Sequence, residues 1–276
     1  MLKTVLFNIY KIIKNDSISK RARYYYFRFI NNYFNQVTIK QKKNYKSIPI
    51  IIVSYNQLFY LKKLITFLLK NEYSNIVIVD NNSNYKPLIK YFDELKDKVV
   101  IHRLAENFGH RVFWEQKKIF NKYNKGYYVL TDPDIVPLNS CPNDFVLKFK
   151  QLLDKNWKLS KVGFSLKIDD IPDTNPNKAK ILEWENRFWK NKTKSGDYQS
   201  SIDTTFALYP PKNIWSFRKN FYNAIRTNIP YVAIHGGWYI DVDNLTEEQK
   251  SYFSTANSSS SWNIDSKGDL ANDVCY

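Results

Sequence analysis

Cysteine is nearly absent: Cys141 and Cys275 are the only two in 276 residues. Two such distant residues form neither a disulfide framework nor a metal-ligand spacing, and a reducing cytosol is the expected setting. Glycine is scarce as well, at 7, and no Gly-rich phosphate loop is found. No run approaches the roughly 18 apolar residues of a membrane-crossing helix. Lys3, Lys11 and Lys14 interrupt the opening segment, which also matches a cleavable signal peptide poorly. Acids are missing from the first 47 positions, where eleven Lys/Arg face Asp16 alone, a net of +10. The other 229 residues hold 31 basic against 25 acidic side chains, only +6, so most of the formal +16 belongs to an N-terminal arm.

What is present is a folded chain. Apolar residues make up 43% and aromatics 17%, enough for a sizeable core. In residues 2–14, Leu2, Val5, Leu6, Ile9, Ile12 and Ile13 share one helical face, and a second stripe runs through Ala22, Tyr25, Tyr26, Phe29, Ile30, Tyr33 and Phe34. Residues 1–46 therefore read as a basic amphipathic helical arm suited to lie on an anionic membrane surface. The alternative is a helix packed on the following domain or on a partner. No nucleic-acid-binding motif accompanies the charge, and no nucleic acid is expected as a partner.

From residue 48 the rhythm changes. Apolar, β-branched runs at 48–54, 76–80, 98–102 and 127–131 alternate with helical patterns at 58–69, 87–95 and 112–123. Such alternation predicts an α/β fold, a mostly parallel sheet covered by helices on both faces. Further on, 145–153 and 181–190 read as helices, and 162–168, 204–209 and 231–235 as strands. Residues 241–276 read as a C-terminal tail.

The sharpest chemical signal is Thr131-Asp132-Pro133-Asp134, directly after the run Tyr127-Tyr128-Val129-Leu130. A buried strand here delivers two carboxylates to the end of a sheet where ligands bind in open α/β folds. Such a pair can share a hard divalent cation that in turn takes up phosphate oxygens. Turn chemistry, with Pro133 stiffening a bend, is the simpler explanation of the same residues.

Read together, the strand ends present Val53-Ser54-Tyr55-Asn56, Val79-Asp80-Asn81-Asn82-Ser83, Asn107-Phe108-Gly109-His110-Arg111 and Asp132-Pro133-Asp134. In this order they resemble the nucleotide-sugar half of GT-A-fold glycosyltransferases, the family-2-like group of bacterial surface-glycan enzymes in particular. The resemblance covers residues 48–136 well and 137–240 loosely. It implies a GT-A-like (Rossmann-like) catalytic domain over 47–240, with a nucleotide-sugar half at 47–136 and an acceptor half at 137–240. It further implies a nucleoside diphosphate sugar as donor, a UDP-sugar first, and Mn2+ or Mg2+ as cofactor. Ser54, Tyr55 and Asn56 would frame the base, Asp80 and Asn82 the nucleoside, and Asn107 and Gly109 the cleft. Arg111 would face the diphosphate, Asp132 the ribose or metal, and Asp134 the metal. Asn81 and Asn82 stand where the family often has acids and a glycine, and the later acidic motif carrying the catalytic base is not recognisable.

Inverting transfer needs a carboxylate to take the acceptor's proton. Asp203 is the first candidate, then Asp170 with its neighbour Asp169, then Glu183 and Glu185. His235, before Gly236 and Gly237, is a candidate third metal ligand. Trp184, Trp238 and Tyr239 are candidate platforms for the acceptor sugar, with Trp189 and Trp215 as further aromatics. The implied activity is a glycosyltransferase of hexosyltransferase type in surface polysaccharide synthesis, peripheral at the cytoplasmic face of the membrane and acting on a glycan or lipid-linked acceptor. The rivals are a haloacid-dehalogenase-like phosphatase, for which residues 268–273 imitate a later acidic motif, a nucleotidyltransferase, and a non-catalytic sugar-nucleotide-binding scaffold.

Overall fold

The computed structural model describes residues 20–211 and 223–257, together with Ile264 and Leu270. The apolar stripe of residues 2–14, Trp215, and the 268–273 motif save for Leu270 lie outside the described residues.

The chain opens with helices α1 (Lys20–Phe34) and α2 (Gln36–Lys43). Asn35 separates them, its side chain accepting the Val37 N–H at 2.9 Å as an N-cap. The sheet unit follows as β1 (Ile50–Ser54), α3 (Phe59–Lys70), β2 (Ile76–Asp80), α4 (Lys86–Leu95), β3 (Val100–Arg103), α5 (Val112–Glu115), α6 (Lys117–Tyr123) and β4 (Tyr128–Thr131). The helix expected over 112–123 is thus broken at Gln116, whose ψ of 81° is not helical. Next come β5 (Ile135–Pro137), α7 (Phe145–Lys155), β6 (Lys161–Leu166), α8 (Lys178–Asn186), β7 (Tyr198–Gln199), β8 (Ala207–Tyr209), β9 (Ala224–His235) and α9 (Glu247–Thr255). Sequence reading found only the end of β9 and missed β5.

Among the described residues the nine strands form one sheet in the order β3-β2-β1-β4-β8-β6-β9-β5, with β7 paired to β9. Pairings are parallel across β3-β2-β1-β4 and between β6 and β9, and antiparallel where β8, β5 and β7 enter. β1 shows why both faces are covered. Its side chains alternate across the sheet: Ile50 and Ile52 join a core with Leu61, Leu64 and Phe145, while Ile51 and Val53 join another with Val112, Phe113 and Tyr128. Burial on both faces is what a continuous β-branched run encodes.

The arm is not separate from this body. Arg28 is buried and donates from Nη2 to the Leu153 carbonyl at 3.1 Å. Gln41 accepts the Tyr127 N–H at 2.8 Å and donates to the Tyr127 carbonyl at 2.9 Å. The Tyr127 hydroxyl donates to Asn32 at 2.8 Å. So residues 28–41 take the domain-packed alternative, and the expected boundary at residue 46 cuts across a packed interface. On the outer side Phe27, Phe29, Tyr33, Phe34 and Val37 remain exposed.

Candidate functional site

The sheet direction reverses its neighbours at β1, which carries β2 on one side and β4 on the other. This is a topological switch point, and the crevice beyond its strand ends is where open α/β sheets bind ligands. A cavity of about 980 Å³ lies there. Val53, Tyr55 and Gln57 line it from the end of β1, Asn81 from β2, Asn107, Gly109 and His110 from beyond β3, and Asp132, Pro133 and Asp134 from β4. Leu166 and residues 235–240 complete it from β6 and β9.

Pairing registers bring the acids together. β4 and β8 are antiparallel with Leu130 opposite Ala207, which sets the residues after β4 beside those before β8. Thr204 consequently donates to Asp132 Oδ2 at 2.9 Å, and Asp203 lines the same wall. The Asp132 carboxyl is held well above its usual range, first by desolvation and then by the charges of Asp134 and Asp203, against the Thr204 hydrogen bond.

β5 and β9 place Ile135 opposite His235. Asp134 then accepts the Gly236 N–H on its carbonyl at 2.8 Å and the Gly237 N–H on Oδ2 at 2.9 Å, with His235 Nδ1 3.3 Å from that oxygen. Gly236 has to be glycine, because a Cβ there would overlap the Tyr60 ring. Tyr60 itself is pushed up to about 12 by burial, then by the charges of Asp134 and Glu248.

Several expected residues serve the wall rather than the cavity. Ser54, Asn56 and Asp80 are fully buried, and none of them lines the cavity. Asp80 Oδ2 is paired with Arg103 Nε at 3.1 Å and Oδ1 accepts the Ser83 N–H at 3.2 Å. Asn56 accepts the N–H groups of Asn84 and Tyr85. Asn82 and Arg111 are exposed beyond the lining. Of the asparagines after β2, Asn81 rather than Asn82 lines the cavity, and it donates to Asn107 at 2.8 Å and to the Gly109 carbonyl at 3.1 Å.

The acceptor-half residues also rearrange. Asp170 is bound to Lys167 at 2.5 Å and to the Tyr239 hydroxyl at 2.5 Å, away from the cavity lining. Desolvation alone would raise its pKa, but these bonds outweigh it and hold the carboxyl low. Trp238 cannot offer a sugar its ring: it is 1% exposed and stacked on His235 at 4.6 Å and 7°. One face of Trp184 carries the Arg187 guanidinium, 3.3 Å from the ring centroid. Tyr239 lines the cavity while bonded to Asp170. Glu185, buried against Arg226, also lines it, its carboxyl pushed up to about 7 by desolvation in spite of Arg226 and Arg187.

The region read as a tail closes the cavity. Thr246 and Gln249 form a capping box that starts α9. The Glu248 carboxylate accepts the Leu58 and Phe59 N–H groups at 2.9 and 3.0 Å, capping α3 from a distance. Tyr55 donates its hydroxyl to the Thr255 carbonyl at 2.9 Å, and Tyr252 and Phe253 join the lining. The T-x-x-Q signature was visible in the sequence; the long-range contact was not.

No family profile and no curated protein matches this chain. Among solved structures it overlaps the mannosyltransferase PcManGT from Pyrobaculum calidifontis, in complex with GDP-Man and Mn2+, at 12% identity and a TM-score of 0.43, over 75% of this chain and 60% of that one. A 1–349 fragment of TarS from S. aureus overlaps at 12% identity and 0.40, over 76% and 72%. A cytidylyltransferase from Leptospira borgpetersenii overlaps at 9% and 0.35, over 59% and 60%. The chain therefore spans less than two thirds of the first and third of these. Overlaps this loose say nothing of activity; the class defined by the structure itself is a mixed α/β protein with helices on both faces of one sheet and a strand-end cavity.

Proposed function

We propose that this chain is a GT-A-type glycosyltransferase that moves a sugar, with inversion, from a nucleoside diphosphate donor to a glycan or lipid-linked acceptor of a surface polysaccharide. The observation that carries this reading is the convergence of Asp132, Asp134 and Asp203 on a cavity at the strand-end switch point. The cavity is of a size for a nucleotide sugar.

Among the described residues no three His, Cys, Asp or Glu side chains are grouped to hold a metal ion. A cage of Asp132, Asp134 and His235 is therefore not assembled from protein alone. Carboxylates crowded by like charge do fit the other kind of site, in which a hard cation takes one or two carboxylates and completes its shell with substrate phosphate oxygens. Mn2+ or Mg2+ held by Asp134, with Asp132 beside it, would supply neutralisation of the departing diphosphate.

The remaining roles fall to the chain. Tyr55 offers a ring to the base, with Asn81, Asn107 and Gly109 along the same wall. Asp203 takes the proton of the acceptor hydroxyl as that oxygen bonds to the anomeric carbon and the bond to the diphosphate breaks. Asp170, tied to Lys167 and Tyr239, serves to hold Tyr239 at the acceptor side. The exposed aromatic side of α1, with Lys42 over the Tyr33 ring, supports a peripheral position on anionic lipid at the cytoplasmic face.

Full-length protein titrated with UDP-, GDP- and CDP-sugars plus Mn2+ tests the donor. Asp134→Asn, which keeps an oxygen to accept the Gly237 N–H, is expected to lower donor hydrolysis by about a hundredfold or more with little change in the unfolding midpoint. Asp203→Asn is expected to leave donor affinity intact while transfer falls by about 10²–10⁴. Wild-type hydrolysis by the Asp134 variant refutes the reading.

A further inference from the structure

The acceptor side of the cavity holds two guanidinium groups, Arg187 and Arg226, whose roles differ. Arg226 is buried and committed: it pairs with Glu185, donates from Nε to the Ser201 carbonyl at 2.8 Å, and lies 4.0 Å above the Phe188 ring. Arg187 is exposed to the cavity, its guanidinium carbon over the Trp184 ring at 3.3 Å from the centroid and over Phe188 at 4.7 Å. Among the described residues it has no hydrogen-bonded or ion-paired partner, since the nearest acid, Glu185, is taken by Arg226.

A guanidinium is always charged, and stacking on an aromatic face leaves its in-plane N–H donors free. Their planar fork matches an oxyanion bidentately. Glu185 sets one carboxylate against the two guanidinium groups, which leaves a positive charge that an anion would offset and a neutral sugar would not. Burial disfavours the charged form of Arg187, the charge of Glu185 favours it, and the charge of Arg226 disfavours it again. Thr205 also lines the cavity, and among the described residues its buried hydroxyl has no hydrogen-bond partner.

We propose that Arg187, backed by Arg226, forms an oxyanion subsite at the acceptor end of the cavity, and that it takes a phosphate group carried by the acceptor. The word acceptor rests on the glycosyltransferase reading; the anion site does not. The same chemistry is offered by the donor's diphosphate, and the two sources are separable.

Full-length protein is titrated calorimetrically with inorganic phosphate, alone and then with saturating UDP, GDP or CDP plus Mn2+. Phosphate is expected to bind in both conditions. Arg187→Gln, at an exposed position that leaves the unfolding midpoint unchanged, is expected to weaken phosphate binding about tenfold or more without changing nucleoside diphosphate affinity. Arg187→Lys is expected to retain part of it. Displacement of phosphate by the nucleoside diphosphate, with equal weakening of the nucleotide in Arg187→Gln, would assign the anion to the donor and overturn the acceptor claim. Equal phosphate binding by wild type and variant overturns the subsite. Phosphate binding that depends on Arg187 in a protein with no affinity for any nucleoside diphosphate upholds the subsite and defeats the glycosyltransferase reading instead.

Discussion

Glu185 makes the structure answerable on a question of sign. It is 1% exposed on α8 and paired with Arg226, which is 4% exposed. An ion pair suggests stabilisation, yet burial outweighs the arginine and lifts the carboxyl from an ordinary 4.5 to about 7. Below pH 4.5 the group is protonated in the folded and unfolded chain alike and contributes nothing. Above pH 7 it is ionised in both, and the folded chain bears the full cost of the buried charge. At about 1.4 kcal/mol per pH unit, that cost is about 3 kcal/mol, so wild-type stability declines across pH 4.5 to 7 on account of this group. Glu185→Gln keeps the shape and removes the titration. Urea unfolding followed by tryptophan fluorescence at pH 4.5 and pH 8 should find the variant close to wild type at the lower pH and about 3 kcal/mol more stable at the higher. Breaking a buried pair ordinarily destabilises by about 3–5 kcal/mol, the opposite sign. A variant that is less stable at pH 8, or a gap that is flat with pH, refutes the reasoning.

Two further perturbations test how the arm and the closing helix are held. Gln41→Ala removes the bonds it makes to the N–H and C=O of Tyr127, which is 0% exposed; at about 1–3 kcal/mol for each group, urea unfolding should show a loss of about 2–6 kcal/mol, and an effect under 1 kcal/mol would mean that the arm does not dock as described. Glu248→Ala removes the cap from Leu58 and Phe59 and should cost about 1–2 kcal/mol, with faster amide hydrogen exchange at those two positions; unchanged exchange would separate α9 from α3.

Much of the fold was written in local pattern. The β-branched runs 48–54 and 76–80 read as doubly buried strands because they are doubly buried, as Ile50–Val53 show. The strand ends could be placed for the same reason, and with them Asp132 and Asp134 at the cavity. What escaped was set by pairing between distant segments. β5 is three residues long, too short to carry a period, and exists because Ile135 meets His235 across β9. Asp80 sits at a strand end as expected, but only the fold reveals that Arg103 at the end of β3 claims it. Trp238 and Trp184 look like sugar platforms in a sequence, where nothing tells that an imidazole and a guanidinium already cover them. Arg187 and Arg226 lie 39 positions apart and gave no local signal at all.

The same long-range pairings set the charges of the cavity. β4 with β8 and β5 with β9 gather Asp132, Asp203 and Asp134. β9 supplies Arg226, which donates to the Ser201 carbonyl two residues before Asp203, and α8 with the turn after it supplies Glu185 and Arg187. A substrate that is uniformly neutral would gain from neither the acids nor the arginines, and one that is uniformly anionic would be repelled by the acids unless a cation accompanied it. An arrangement of this kind suits two ligands of different character meeting in one cavity: a diphosphate that brings its own metal, and an acceptor whose negative group is met by arginine. On the proposed glycosyltransferase reading that is the division of labour a transfer needs, with Asp203 beside the other acids as the group that takes the hydroxyl proton.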